Sequence, residues 1–276
     1  KANPELWNEM VHPDYSDPVV DNFASLLEKG GFEAEFKIIR ADGEVRLIHR
    51  RGYFGRDPVG VVARIDGIDT DITERRRIEE KLYFLSLHDS LTGLYNRAFF
   101  EEEMQRLQSS EEIPVGLIIC DLDGLKYVND NLGHDWGDNL LVLAANTIRS
   151  CFRREDVVAR IGGDEFAVLL PGVDEARLNS YCRRIHEAVQ RYNAENGEFI
   201  LSISTGSAAR STVSVSMNQL FREADQNMYN EKMRIGVQNR EKIIRSITSR
   251  TQGNQLSSEE RDKLLRNLKK IRENLP

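Results

Sequence analysis

Arg160-Ile161-Gly162-Gly163-Asp164-Glu165-Phe166 joins two short apolar runs, Val157-Val158-Ala159 before it and Phe166-Ala167-Val168-Leu169-Leu170 after it. Two such runs connected through Gly-Gly-Asp predict a β-hairpin, because glycine takes the positive φ that a tight turn asks for. The turn carries two adjacent carboxylates, Asp164 and Glu165. Successive strand residues point to opposite faces, so these acids cannot both lie idle on one wet surface.

Working outward, Val115 to Cys120 is a continuous apolar run, the pattern of a strand buried on both faces. Helical spacing is expected from Arg97 to about Gln108, with Asn96 as its cap, and from about Asp138 to Cys151. The buried side of the second helix would hold Leu140, Leu141, Leu143, Ala144 and Ile148. Further helices are expected over Asp174–Tyr192 and Met217–Met233, and a strand over Phe199–Ser207. In the turn before Asn96, Asp89 or Thr92 can satisfy backbone donors. Strands and helices alternate, but the hairpin forces antiparallel pairing into the sheet. The expected fold class is α/β (α+β), a ferredoxin-like mixed sheet flanked by helices rather than a doubly wound one. Neither a Walker loop nor a GxGxxG element is present, so nucleotide binding by those routes has no support.

Upstream, residues 1–72 form a separate compositional unit. Pro18 to Leu27 has helical periodicity, and strand-like segments follow at Phe32–Arg40, Val45–Phe54 and Val59–Asp69, the first two split by the turn Ala41-Asp42-Gly43-Glu44. His12, before Pro13, is expected to be a turn or cap residue rather than a haem ligand. Residues 73–87 read as a charged linker helix capped by Thr73, with an apolar seam at Ile78, Leu82 and Leu85 suited to pairing two helices. A second domain spans 88–245. Residues 246–276 carry a linker and a helix with Leu264, Leu265, Leu268 and Ile271 on one face.

At 276 residues and a net charge of −7, the chain has room for two domains with real cores, and its acidic balance argues against a broad nucleic-acid surface. No apolar run reaches the length of a membrane span, and no signal peptide is present. Cys120, Cys151 and Cys182 fit neither a disulfide framework nor a CxxC metal site. Reduced thiols and a cytoplasmic setting are the expectation. Lys1 in place of Met predicts a fragment whose beginning lies elsewhere.

A second acidic cluster decides what the hairpin acids are for: Asp121-Leu122-Asp123-Gly124-Leu125-Lys126-Tyr127-Val128-Asn129-Asp130. Asp121 comes straight off the buried strand, where its side chain is rigidly held. Facing Asp164 or Glu165, it would make an oxygen-rich pocket suited to Mg²⁺, and two such ions can clamp the attacking and leaving oxygens of a displacement. Lys126 is a counter-charge for phosphate. Gly133-His134-Asp135-Trp136-Gly137-Asp138 supplies polar groups before a helix N-terminus, which favours anions.

Together these residues resemble a known family. From about His88 to Arg240 the chain is similar to the GGDEF domain of diguanylate cyclases, related in fold to class III nucleotide cyclases. The matches are Asp89-x-Leu91-Thr92-x-Leu94-x-Asn96-Arg97, Asp121-x-Asp123-x-x-Lys126-x-x-Asn129-Asp130, Gly133-His134-x-x-Gly137-Asp138 and Gly162-Gly163-Asp164-Glu165-Phe166. Residues 1–72, closing on Asp69-Thr70-Asp71-Ile72-Thr73-Glu74-Arg75, resemble the C-terminal half of a PAS sensor domain.

The resemblance implies an enzyme that joins two GTP into cyclic di-GMP, active as a homodimer and controlled by the PAS module. It implies Mg²⁺, two per site with Mn²⁺ as a substitute, held by Asp121, Asp164 and the Leu122 carbonyl, with Glu165 as a second metal or acid–base group. Asp164 or Glu165 would help deprotonate the 3′-hydroxyl, and Lys126 would stabilise the phosphates. Asn129 and Asp138 would bind the guanine edge with His134 nearby. Asp138, able to accept from guanine N1–H and N2–H₂, favours GTP. Gly162 and Gly163 would clear room for the nucleotide. Lys232 would contact phosphate, while the family's following arginine is displaced here, leaving Arg234 or Arg240 as its replacement. Arg153 and Asp156 match an inhibitory product site that Arg184 would complete. A silent receptor that only binds cyclic di-GMP is the rival implication.

Overall fold

The computed structural model describes residues 10–15, 31–110, 113–195 and 200–252. The chain divides into two compact units, Lys1–Phe84 and Leu85–Pro276.

In the first unit, β1 (Gly31–Ile39), β2 (Val45–Arg56) and β3 (Val62–Asp71) form an antiparallel meander. Gly43, at φ 82°, turns the chain between β1 and β2, and Ile39 pairs with Val45. The third strand starts three residues later than the sequence predicts because Asp57 builds a loop first. Its carboxylate accepts the N–H groups of Val59 and Val61 at 3.0 and 2.8 Å, and Gly60 sits at φ 87°. Phe36, Ile38 and Ile48 make a small core against Met10 and Val11. His12 is a turn residue whose Nδ1 accepts the Asp14 N–H at 3.3 Å.

Helix α1 (Thr73–Leu87) has the expected span, but Thr73 does not cap it. The Thr73 N–H and hydroxyl both donate to Asp71 Oδ1, at 2.9 and 2.6 Å, and the hydroxyl accepts the Leu47 N–H at 2.8 Å, so it is engaged with β2 and β3 rather than with the helix backbone. Ile78, Leu82 and Leu85 are all exposed. The expected helix at Pro18–Leu27 and the expected tail helix with Leu264, Leu265, Leu268 and Ile271 lie outside the described residues.

The second unit contains α2 (Arg97–Ser109), β4 (Val115–Leu122), α3 (Leu125–Leu132), α4 (His134–Ser150), β5 (Val157–Arg160) and β6 (Glu165–Pro171), then α5 (Glu175–Glu195), β7 (Ile203–Arg210) and α6 (Met217–Gln252). The sheet order is β5-β6-β4-β7, with every ladder antiparallel. Parallel pairing enters only at the isolated Tyr95–Ala159 bridge among the described residues. All of β4 is buried, as its apolar run predicts. One sheet face, with Ile118, Cys120, Phe166 and Val168, packs on Leu140, Ile148, Leu178 and Ile185 of α4 and α5. The other, with Leu117, Ile119, Ala167 and Leu169, packs on Phe100, Leu107, Leu220 and Met228 of α2 and α6. The architecture is a helix-flanked α/β sheet.

Differences from expectation have local causes. Asn96 caps α2 as predicted, accepting the Phe99 N–H at 2.9 Å. Helix α3 is an addition, and Gly133 at φ 93° separates it from α4, which begins at His134 rather than Asp138. Strand β7 starts at Ile203 rather than Phe199. The Leu201 N–H and carbonyl are bonded at 2.8 Å to the Asn193 side chain of α5 instead of to a strand. Helix α6 continues past Met233 to Gln252.

Candidate functional site

The Gly162–Glu165 turn folds back as expected, with the Ile161 N–H donating to the Glu165 carbonyl at 2.9 Å. The turn does not use the positive φ expected of its glycines: neither Gly162 nor Gly163 adopts it. A Cβ on Gly162 would stand 2.5 Å from Glu165 Oε2 and so displace that carboxylate, while a Cβ on Gly163 would meet nothing within 4 Å. Arg160 holds the turn in shape. Its guanidinium donates to the Gly162 and Gly163 carbonyls at 3.2 and 2.8 Å and reaches back to Asp89 at 3.2 Å. Asp89 also accepts from the Thr92 N–H and hydroxyl, so one carboxylate ties two turns together. Its pKa lies below the usual value: burial pushes it up, but the Thr92 bonds and Arg160 outweigh that.

Antiparallel register sets Asp121, near the end of β4, opposite Glu165 on β6 and Ser204 on β7. Directly paired residues share a sheet face. Glu165 lines a cleft of about 540 Å³ that also takes in Arg97, Glu101, Ile119, Ile161 and Phe221. Asp164 belongs to the same corner, for its carbonyl accepts the Leu122 N–H at 2.9 Å.

Asp121 is 4% exposed. Lys232 of α6 meets its Oδ1 at 2.6 Å. Burial pushes the Asp121 carboxyl from the usual 3.8 up to about 6; Lys232 opposes this, while Asp164 and Asp123 add to it. Burial also works against the charge of Lys232, yet Asp121, Asp164 and Asp123 hold its pKa above the ordinary range. Burial therefore outweighs the lysine at Asp121. Among the described residues no group of three His, Cys, Asp or Glu is already gathered as a metal cage. A corner whose candidate ligand atoms are carboxylate and carbonyl oxygens fits a divalent ion of the magnesium type, which also takes phosphate and water oxygens.

Asp123 does different work. It is buried, and it accepts from the hydroxyls of Ser202 at 2.6 Å and Ser204 at 3.0 Å, fastening the turn after β4 to β7. Lys126 is exposed on the first turn of α3, and His134 and Asp138 are exposed on the first two turns of α4. Asn129 Oδ1 is buried without a hydrogen-bond partner. A Cβ on Gly137 would come within 1.9 Å of that oxygen, so glycine lets the two helices meet there, next to Asp138. An orphaned amide oxygen beside an exposed carboxylate fits a ligand edge carrying N–H donors.

At the other end of β5, Asp156 Oδ2 accepts the Arg153 N–H at 2.8 Å, and Asp156 N–H donates to the Arg153 carbonyl at 3.3 Å. The Arg153 side chain is exposed. Arg184 reaches this turn from α5: it donates to the Cys151 carbonyl and lies 4.4 Å over the Tyr181 ring, which stacks on Phe152. Arg234 is exposed on α6, and the Arg240 side chain lies outside the described residues. Arg160 and the Asp123–serine pair were not foreseen. Their partners lie 71 and 79 to 81 residues away, and no local spacing announces them.

Residues 86–238 match the family model described as diguanylate cyclase, GGDEF domain, and residues 1–69 match a PAS fold model. Diguanylate cyclase DgcM of Escherichia coli K12 is 33% identical over 198 residues, covering 70% of this chain and 47% of its own length. Probable diguanylate cyclase DgcT of the same organism is 34% identical over 149 residues, covering 52% of this chain and 33% of its own. The chain thus spans less than half the length of either. The coiled coil and GGDEF domain of DgcB from Caulobacter crescentus, solved in complex with c-di-GMP, superposes with a TM-score of 0.52 at 24% identity, over 59% of this chain and 88% of that one. That likeness concerns the fold. No helix among the described residues is long and apolar enough to cross a membrane.

Proposed function

This chain belongs to the diguanylate cyclase family defined by the GGDEF domain, and from that premise we propose that it condenses two GTP into cyclic di-GMP with release of two pyrophosphates. The observation that carries the reading is the buried Asp121, pushed up to about 6 beside Asp164 and paired with Lys232. Perturbed acids cluster where chemistry is done.

In the reaction, the 3′-hydroxyl of one GTP attacks the α-phosphorus of the other and pyrophosphate leaves; repeating the step in the opposite sense closes the ring. Asp164 or Glu165 takes the hydroxyl proton. Lys126 and Lys232 meet phosphate charge, Asn129 and Asp138 hold the guanine edge, and His134 stands beside it. The absence of a Cβ on Gly163 leaves open space over the turn for nucleotide. Asp121, Asp164 and the Leu122 carbonyl would hold Mg²⁺ or Mn²⁺, with Glu165 serving a second ion, and bound metal would neutralise phosphate charge.

Each copy has one acid corner, so two copies must face each other for turnover. The exposed Ile78, Leu82 and Leu85 supply a seam for that homodimer. In this reading residues 1–72 are the sensor, 73–87 the stalk, 88–245 the cyclase and 246–276 the tail, and the cytoplasm, where GTP is made, is the setting. Cyclic di-GMP bound by Arg153, Asp156 and Arg184 would limit its own synthesis. Incubation with GTP and Mg²⁺ followed by chromatography of the nucleotides tests the proposal. Cyclic di-GMP is expected; none from a confirmed dimer that still binds cyclic di-GMP would favour a silent receptor.

A further inference from the structure

Helix α6 lies unusually close to β7. A Cβ on Gly206 would come within 1.9 Å of the Met228 nitrogen and 2.3 Å of the Ala224 carbonyl oxygen, so the helix backbone rests directly on the strand. One turn further on, Glu231 is fixed to that strand by polar contacts. Its Oε2 accepts the Thr205 backbone N–H and, at 3.1 Å, the Thr205 hydroxyl. His186 of α5 closes the group, with Nε2 3.2 Å from Thr205 Oγ1 and 3.8 Å from Glu231 Oε2. The Glu231 side chain is only 16% exposed, and a carboxylate so far from water needs these partners.

Its position in the register gives the clamp a purpose. Thr205 is paired with Cys120, the residue before Asp121, and β7 is the edge strand beside β4. Glu231 and Lys232 are consecutive on α6. One grips the edge strand at Thr205 while the other reaches Asp121 at 2.6 Å on the neighbouring strand, one register position on. Sliding or rotating this turn of α6 would carry the ammonium off the acid corner.

We propose that Glu231 is a positioning residue: by binding Thr205 it sets the reach of Lys232 at the phosphate end of the site. The inference rests on the function proposed above for Lys232. Residues that orient a reacting group from behind typically cost tenfold or more when lost, because small misplacements are heavily penalised.

The test is a double-mutant cycle on the full chain with GTP and Mg²⁺. Glu231→Ala should lower turnover about tenfold, while Glu231→Gln, whose amide oxygen still accepts the Thr205 N–H, should restore most of it. On a Lys232→Ala background, Glu231→Ala should have no further effect, since the residue it positions is gone. Unchanged turnover in Glu231→Ala, or losses that add on the Lys232→Ala background, would overturn the proposal. Should Glu231→Ala fold poorly, Glu231→Asp, which keeps the charge but shortens the reach, takes its place in the cycle. If the wild-type protein makes no cyclic di-GMP, the cyclase reading fails by itself. The same cycle is then read from affinity for GTPαS with Mg²⁺, where coupled effects support the clamp and independent ones overturn it.

Discussion

The short strand β5 separates two charged turns built on opposite plans. At its downstream end, acids crowd a buried corner with one lysine between them, and Asp121 is driven up to about 6. At its upstream end, Asp156 is bound to the Arg153 backbone and the Arg153 side chain stays exposed. The first turn holds a buried carboxylate whose charge its surroundings disfavour, with Lys232 as its bonded cation. The second uses its carboxylate to hold its own shape and leaves the Arg153 side chain in solvent. Chemistry and recognition call for these different constructions.

The largest effect expected at the acid corner is from Asp164→Ala, which should lower cyclic di-GMP formation by roughly 10³-fold or more, measured as initial rate. A loss of under tenfold would move the chemistry elsewhere. Lys232→Ala should cost about 10²-fold and, by removing its counter-charge, raise the Asp121 pKa further. At the other turn, Arg153→Ala should lift the plateau of accumulated product several-fold; an unchanged inhibition curve would remove that turn from regulation.

A smaller effect concerns stability. Because the folded-state pKa of Asp121 lies above its usual 3.8, the contribution of this group to stability is fully present below about pH 4 and is lost as pH rises through 6. Mg²⁺ should offset that loss. Melting temperature is expected to rise roughly 5 °C with saturating Mg²⁺ at pH 7.5 and by little at pH 5, where protons compete for the site. A Mg²⁺ shift independent of pH would exclude Asp121 as a ligand. The smallest effect is Asn96→Ala, which removes the cap of α2 and should cost about 1 kcal/mol in denaturant unfolding, leaving both turns intact.

Features written in local patterns were legible beforehand. The hairpin, the doubly buried β4 and the Asn96 cap follow from alternation, hydrophobic run and side-chain chemistry within a few residues. The PAS-like meander was legible for the same reason, apart from the delayed start of β3 behind the Asp57 loop. Helix α3 is readable in principle from Leu125, Val128 and Leu132, but at eight residues its pattern covers barely two turns. What sequence could not supply were bonds between distant segments. Arg160 with Asp89, Asp123 with Ser202 and Ser204, and Glu231 with Thr205 exist only once the sheet is assembled. The hairpin forms without positive φ at either glycine; a Cβ at Gly162 would press on the Glu165 side chain, and one at Gly163 would meet nothing.

The contrast between the two turns is tested most directly by crystals grown with GTPαS and Mn²⁺, with the metal located by anomalous scattering. A metal peak is expected at Asp121 and Asp164, with the guanine against Asn129 and Asp138. Nucleotide found solely at Arg153 and Asp156, with no metal at the acids, would contradict it.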